Sequence, residues 1–155
     1  MSLTALQSNV VRISQYTDYA VRVLLYLGAR VDERVPTAAI AQAFDISTNH
    51  LQKVVRSLGE LGHITLHRGV GGGLELARAT DQIVIGAVMR SLEGEDQLVE
   101  CFRPETDRCV VSSACALKRA LHQAQDAFYE NLDSLTLADL VSGNRGGELR
   151  SLTEP

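Results

Sequence analysis

Residues 36–78 read PTAAIAQAFDISTNHLQKVVRSLGELGHITLHRGVGGGLELAR. Pro36 and Thr37 open a helix, and Ile40, Ala41 and Phe44 give it one apolar face. Asp45–Ile46–Ser47 break it. Ser47 then caps a second helix that turns Leu51, Val54, Val55 and Leu58 inward. Helix, three-residue turn and helix make a helix-turn-helix. The outward side of its second helix carries Thr48, Asn49, His50, Gln52, Lys53 and Arg56. Asn and Gln suit adenine edges, while Arg and Lys suit guanine and phosphate. Together with Thr37 and Ser47, these are the expected DNA contacts. Gly62 ends the helix. His63–Arg68 and Leu74–Ala77 then alternate around Gly69 and Gly71–Gly73, the pattern of a β-hairpin. A hairpin directly after a recognition helix is a wing. Arg68 stands at its tip, where an arginine can enter a narrow minor groove. A phosphate-binding loop does not fit these glycines, because no Lys-Ser/Thr pair and no helix follow them.

The flanks extend this core into a mainly α chain: a winged helix-turn-helix with a long C-terminal dimerisation helix. Val10–Ile13 is a candidate edge strand. Ser14 or Thr17 can cap a helix with the stripe Ala20, Val23, Leu24 and Leu27. Asp18 lies in its first turn, where a carboxylate suits the helix dipole. Arg22 is four residues on, spaced for an ion pair with Asp18. Asp81 is a candidate cap for a helix over Gln82–Leu92. Glu93–Ser113 reads as a polar loop. A helix from about Ala114 to Asp133 carries Leu117, Leu121, Ala124, Phe128 and Leu132 at three- and four-residue spacing, a stripe suited to a partner helix or to packing within the chain. Thr136–Val141 reads as a short turn, and residues 142–155 as a polar, disordered tail. The expected organisation is therefore a DNA-binding region over 1–80, a loop and dimerisation helix over 81–141, and a tail.

The 155 residues are 45% hydrophobic, enough for one modest core. No apolar run approaches the ~18–20 residues of a membrane span. The start of the chain lacks the pattern of a secretory leader, so a cytoplasmic location is expected. The net charge of −4 conceals an asymmetry. Residues 1–80 hold eight Lys/Arg against six Asp/Glu, and residues 81–155 hold seven against thirteen. A mildly basic first half is compatible with phosphate contact.

All three cysteines, Cys101, Cys109 and Cys115, fall within fifteen residues. An odd number cannot close a disulfide framework, and reduced thiols are free to bind metal. The spacing is Cys-x₇-Cys-x₅-Cys. Zinc knuckles use tighter Cys-x₂₋₄-Cys pairs, so structural zinc is disfavoured. An iron–sulphur cluster is bulkier and takes ligands from a longer loop. Three thiols are one short of a Cys₄ site. Glu100, Glu105, Asp107, His122 or a residue of a partner subunit are the candidates for the fourth position, while His50, His63 and His67 belong to the DNA-reading module. No Ser/His/Asp or Cys/His arrangement points to an enzyme.

The stretches RISQYTDYAVRVLLYLG (12–28), RGVGGGLELAR (68–78), LEGEDQLVEC (92–101) and CALKRALHQAQDAFYENLDSLTLADL (115–140), with the helix-turn-helix, carry a family resemblance. Over nearly its whole length the chain resembles the Rrf-two family of bacterial winged-helix regulators, in particular its nitric-oxide-sensing repressors. The resemblance implies a homodimer on a two-fold symmetric double-stranded DNA operator. It also implies a cluster bound by Cys101, Cys109 and Cys115, of the [4Fe–4S] type with [2Fe–2S] as the alternative. Within that resemblance the fourth ligand is an aspartate of the first helix of the other subunit. The matching motif is Tyr16-Thr17-Asp18-Tyr19-Ala20, which assigns that role to Asp18 and makes Arg22 its neighbour. The x₇ spacing and the stretch ECFRPETDRC are similar to the family's iron-responsive repressors, which carry asparagine where Asp18 stands. Lys118 occupies the position where the cluster-biogenesis regulators carry a histidine ligand.

Overall fold

The computed structural model describes residues 13–94 and 98–154, so the expected strand over Val10–Ile13 lies largely outside the described residues. Helix α1 spans Gln15–Gly28. Ser14 is its cap, its hydroxyl accepting the Thr17 N–H at 3.1 Å, which satisfies one of the free N–H groups at the helix start. Ala20, Val23, Leu24 and Leu27 are buried as the stripe predicts.

Helices α2 (Thr37–Ala43) and α3 (Thr48–Glu60) form the helix-turn-helix. Its turn has a specific construction. The Asp45 N–H reaches the Gln42 carbonyl and the Ile46 N–H reaches the Ala41 carbonyl, at 3.3 and 2.9 Å. This double closure requires a left-handed residue between them, and Asp45 supplies it with φ +51°. The same device ends α3, where Gly62 has φ +71° and the His63 N–H closes on Leu58 at 2.9 Å. Leu51, Val54, Val55 and Leu58 face the core.

Strands β1 (Ile64–His67) and β2 (Gly73–Leu76) pair antiparallel with Ile64 opposite Leu76 and His67 opposite Gly73. Val35 pairs with Leu74 beside them. Ile64 and Leu74 point into the core, while Val70 at the tip stands fully in solvent.

The chain then departs from the expected pattern in three places. Asp81 does not cap a helix over Gln82–Leu92. Thr80–Gln82 is a single 3₁₀ turn, Val84 pairs with Thr136, and α4 runs over Ile85–Glu93. The long helix α5 runs over Ala116–Asp133 and is capped by Cys115 rather than starting at Ala114, because Ser112–Ala114 forms a 3₁₀ turn. Helix α6 (Leu137–Val141) opens with a reciprocal Thr136–Asp139 capping box. Residues 142–155 were expected to be a disordered tail, but Asn144–Leu152 is helix α7. The buried Arg30 holds that helix down. Its guanidinium stacks 3.9 Å from the Tyr26 ring and donates to the Thr153 hydroxyl at 2.9 Å and the Arg150 carbonyl at 3.2 Å. Arg150 in turn pairs with Glu33.

Packing does not stop at residue 80. Ile83, Ile85, Val88, Met89 and Leu137 share one core with α1, α2, α3 and the hairpin. Gly28 lets α6 approach α1 closely, since a Cβ there would lie 3.1 Å from Leu137. Helix α1 is thus the common axle, touching α3, α4, α6, α7 and β2. Among the described residues no helix is long and apolar enough to cross a membrane.

Candidate nucleic-acid interface and cysteine loop

The reading face is built by the same periodicity that buries the opposite side of α3. Thr48, Asn49, His50, Gln52, Lys53 and Arg56 are all exposed. Asn49, Gln52, Lys53 and Arg56 stand together on the open side of α3. Ser47 caps α3 by accepting the His50 N–H at 3.2 Å. Its hydroxyl is therefore partly committed to the helix. Thr37 is half-buried at the start of α2. Arg56 pairs through Nε with Glu60 at 2.9 Å in an exposed i,i+4 contact, worth a few tenths of a kcal/mol. Arg68 is exposed beside the wing tip. Glu75 accepts from His67 (2.7 Å) and from Arg34 (3.2 Å), and these bonds, that of His67 first, hold its carboxyl below the usual carboxylate range. That cluster ties the turn end of β1 to β2 and to Arg34, just below the wing tip.

The cysteine segment leaves α4 at Gly94, whose φ is +61°. Cys101 and Cys115 are half-buried and Cys109 is exposed; all three are free thiols. Phe102 is buried and stacks on His122 with ring centroids 3.7 Å apart, which pins the neighbourhood of Cys101 to α5. The other two cysteines belong to a second anchor. The Cys109 N–H donates to Asp107 at 3.1 Å, and Lys118 reaches Asp107 at 3.0 Å and Ser112 at 2.6 Å. The Ser112 hydroxyl also donates to Asp107, and this bond, ahead of the Lys118 and Cys109 contacts, holds the Asp107 carboxyl low. The Cys115 sulphur accepts the Lys118 N–H at 3.3 Å. Lys118 and Asp107 thereby clasp the turn bearing Cys109 onto the start of α5, beside Cys115.

Sequence spacing did not foretell that clasp, since it joins loop residues with no periodic relation. It engages Asp107, one of the loop carboxylates considered for a fourth ligand position. Among the described residues, no three His, Cys, Asp or Glu side chains are gathered tightly enough to hold a single metal ion. The donor chemistry is nevertheless that of a soft-ligand site. Three thiols lie on a segment built of turns and 3₁₀ pieces, which suits a wide, thiophilic iron–sulphur group better than a compact ion.

Asp18 stands in the first turn of α1, 45% exposed on its side chain, and Arg22 pairs with it at 2.7 Å. The Arg22 guanidinium lies 5.8 Å from the ring centres of both Tyr19 and Phe44. Phe44 is the residue that ends α2. Asp18 therefore sits one salt bridge from the turn of the helix-turn-helix. Its carboxylate is open on its other side to a partner.

A helix-turn-helix, a glycine-tipped wing and an exposed polar recognition face define a DNA-binding transcriptional regulator of the winged-helix class. Residues 13–143 match the Rrf2 family model, described as an iron-dependent transcriptional regulator. The chain belongs to the Rrf2 family. It is 47% identical over 142 residues to the HTH-type transcriptional regulator NsrR of Geobacillus kaustophilus, covering 91% of this chain and 95% of that one. It is 43% identical over 131 residues to NsrR of Bacillus subtilis, covering 84% and 90%. Among solved structures it is similar to CymR, the global cysteine regulator of B. subtilis, with a TM-score of 0.69 at 30% identity, covering 86% and 98%. It is also similar to IscR of T. potens, with a TM-score of 0.68 at 25% identity, covering 84% and 86%.

Proposed function

We propose that this chain is a homodimeric repressor whose hold on a two-fold symmetric operator is set by an iron–sulphur cluster, and that nitric oxide is its signal. Cys101, Cys109 and Cys115 of one protomer and Asp18 of the partner subunit would hold the cluster, which is of the [4Fe–4S] type. The observation that carries the reading is the position of Asp18. It lies exposed on the helix that packs against α3, and its Arg22 partner reaches Phe44 at the turn. A ligand taken from that spot acts on the reading head directly.

When bound, the cluster would supply iron that can take nitric oxide as a ligand in competition with the protein donors. A carboxylate is the hardest donor in a soft set, which makes it the one most readily given up. The protein's own part follows from its charges. While Asp18 is engaged by the neighbouring loop, Arg22 shares its counter-ion and stays seated between Tyr19 and Phe44. Once Asp18 is released, the carboxylate returns fully to Arg22. The loop bearing the cysteines then no longer joins one protomer's α1 to the other. The two recognition helices, which must enter major grooves about 34–36 Å apart, lose their fixed spacing. Thr37, Ser47, Thr48, Asn49, His50, Gln52, Lys53 and Arg56 would make the groove contacts, and Arg68 of each wing would enter the flanking minor groove. A coupling of about 1–3 kcal/mol, or about 5–150-fold in affinity, is the scale for such linkage.

The dimer is supported by α5. None of its residues is buried in the protomer, and Leu117 and Phe128 are 66% and 42% exposed. The tests are an anaerobic absorption spectrum with iron and sulphide counts, followed by a gel-shift titration with nitric oxide. Operator release at stoichiometric nitric oxide is expected. Binding that ignores nitric oxide but fails on iron chelation would instead establish an iron-status regulator. Replacing Asp18→Ala is expected to give a cluster with an altered spectrum and faster loss. An unchanged spectrum and lifetime would remove Asp18 from the ligand set.

A further inference from the structure

We infer that Ser14 and Tyr16 are positioning residues that tie the base of the cysteine loop to the recognition helix within a single protomer. This rests on the reading above, in which the loop is where the signal is received. It adds a route that does not pass through the partner's Asp18.

The route begins at Glu93, the last residue of α4 and the residue before the Gly94 pivot of the loop. One carboxylate oxygen of Glu93 accepts both the Ser14 N–H at 2.9 Å and the Ser14 hydroxyl at 3.0 Å. Ser14 is also the cap of α1, its oxygen receiving the Thr17 N–H. The carboxylate at the loop's base therefore orients the hydroxyl that starts α1. Two residues on, the Tyr16 hydroxyl is hydrogen-bonded to the Ser57 hydroxyl at 2.6 Å and to the Lys53 carbonyl at 3.1 Å. Ser57 and Lys53 are successive turns of α3, and the Lys53 side chain stands on the reading face beside Asn49, Gln52 and Arg56.

Pulling Glu93 away removes two bonds from Ser14, leaves its hydroxyl only the Thr17 hydroxyl as acceptor, at 3.1 Å, and so loosens the side-chain cap of α1. The first turn of α1 is where such loosening is felt, and it is the turn that holds Tyr16. A phenol hydroxyl on a helix carbonyl sets the roll of α3 about its own axis, the motion that decides which side chains face a groove. Apolar packing beneath α3 cannot fix that roll as sharply, because Leu51, Val54, Val55 and Leu58 are non-directional contacts.

The experiment measures operator affinity for the full-length protein with and without its cluster and takes the ratio. Tyr16→Phe keeps the ring and removes only the hydroxyl; Glu93→Met keeps the length of the side chain and removes both acceptor oxygens. Each is expected to lower the ratio by about fivefold or more, the small end of ordinary two-site coupling, with the cluster spectrum unchanged. The double variant is expected to fall no further than either single one, since both cut the same chain of bonds. Ser14→Thr, which retains a capping hydroxyl, is expected to keep the wild-type ratio, and Ser14→Ala to lose it. A wild-type ratio in Tyr16→Phe, or losses that add in the double variant, would overturn the inference.

A second arm needs no cluster. Hydrogen exchange of the α3 amides in cluster-free protein is expected to quicken several-fold in Glu93→Met, and to show no further gain when Tyr16→Phe is already present. Exchange at the wild-type rate in Glu93→Met would overturn the route. If the wild-type affinity itself does not depend on the cluster, the regulatory reading fails, and the exchange arm still decides whether the tie exists.

Discussion

His63 is a polar side chain the fold leaves unsatisfied. Its Nδ1 is buried and has no hydrogen-bond partner among the described residues. Burial, and secondarily the nearby Arg78 guanidinium, push its pKa below the ordinary histidine value. The unfolded chain takes up a proton near pH 6.5, whereas the folded chain resists it. The contribution of His63 is therefore fully present above about pH 6.5 and is lost as the pH falls through its lowered folded value. The melting temperature is expected to drop between pH 7 and pH 5, and His63→Gln is expected to flatten that drop; equal slopes for the two proteins would assign the acid sensitivity elsewhere. The strand beside His63 was readable from the alternation of Ile64 and Leu66, although it begins at Ile64 and leaves His63 just outside. The lack of a partner for His63 was not, because that depends on the burial of its ring near Arg78, fifteen residues on. The ion pair of Asp18 and Arg22 was legible for the opposite reason: four residues of helix fix its geometry without help from the rest of the chain. The Lys118–Asp107 clasp lies between these cases, made of nearby residues but in a segment with no period to read.

Helices α4 and α5 meet at a single glycine. A Cβ on Gly86 would lie 2.2 Å from an Asp133 carboxylate oxygen and 2.9 Å from the Asp133 backbone nitrogen, so the backbone itself is in the way. Arg90 binds the same Asp133 and lies over Tyr129, locking the crossing from the side. Gly86→Ala must push α5 outward and is expected to cost about 1–3 kcal/mol in chemical denaturation. A cost below about 0.5 kcal/mol would mean that α5 shifts freely. The elements with strong apolar periodicity, α1 and α3, were legible in the chain because each buries one regular face; the hairpin was legible from its alternation and glycines, although Leu66 on its Ile64 face stays exposed. The start of α4 was not. Val84 is drawn into an extended pairing with Thr136, a tertiary contact that overrides the local capping signal of Asp81. Helix α7 was missed because its glycines and charges read as tail. Its stability comes from Arg30 and Thr153, not from an apolar stripe of its own.

The whole chain divides by charge and by exposure rather than by separate cores. The basic excess lies in the reading head, the acidic excess beyond it, and the unburied apolar stripe on α5. Phe128→Glu places a charge on that stripe at an exposed position and is expected to yield a folded monomer in sedimentation velocity, with operator binding reduced to that of a single half-site. A dimer of unchanged stability would move the interface off α5. The closure between Arg30 and Thr153 has its own bearing on how the chain is made. The two residues are 123 positions apart, so at about 5–20 residues per second a ribosome leaves α1 waiting roughly 6–25 seconds for its last neighbour. During that interval Arg30 has water for a partner. The reading head can gather its own helices early, while the axle they share is finished only once Thr153 has been made.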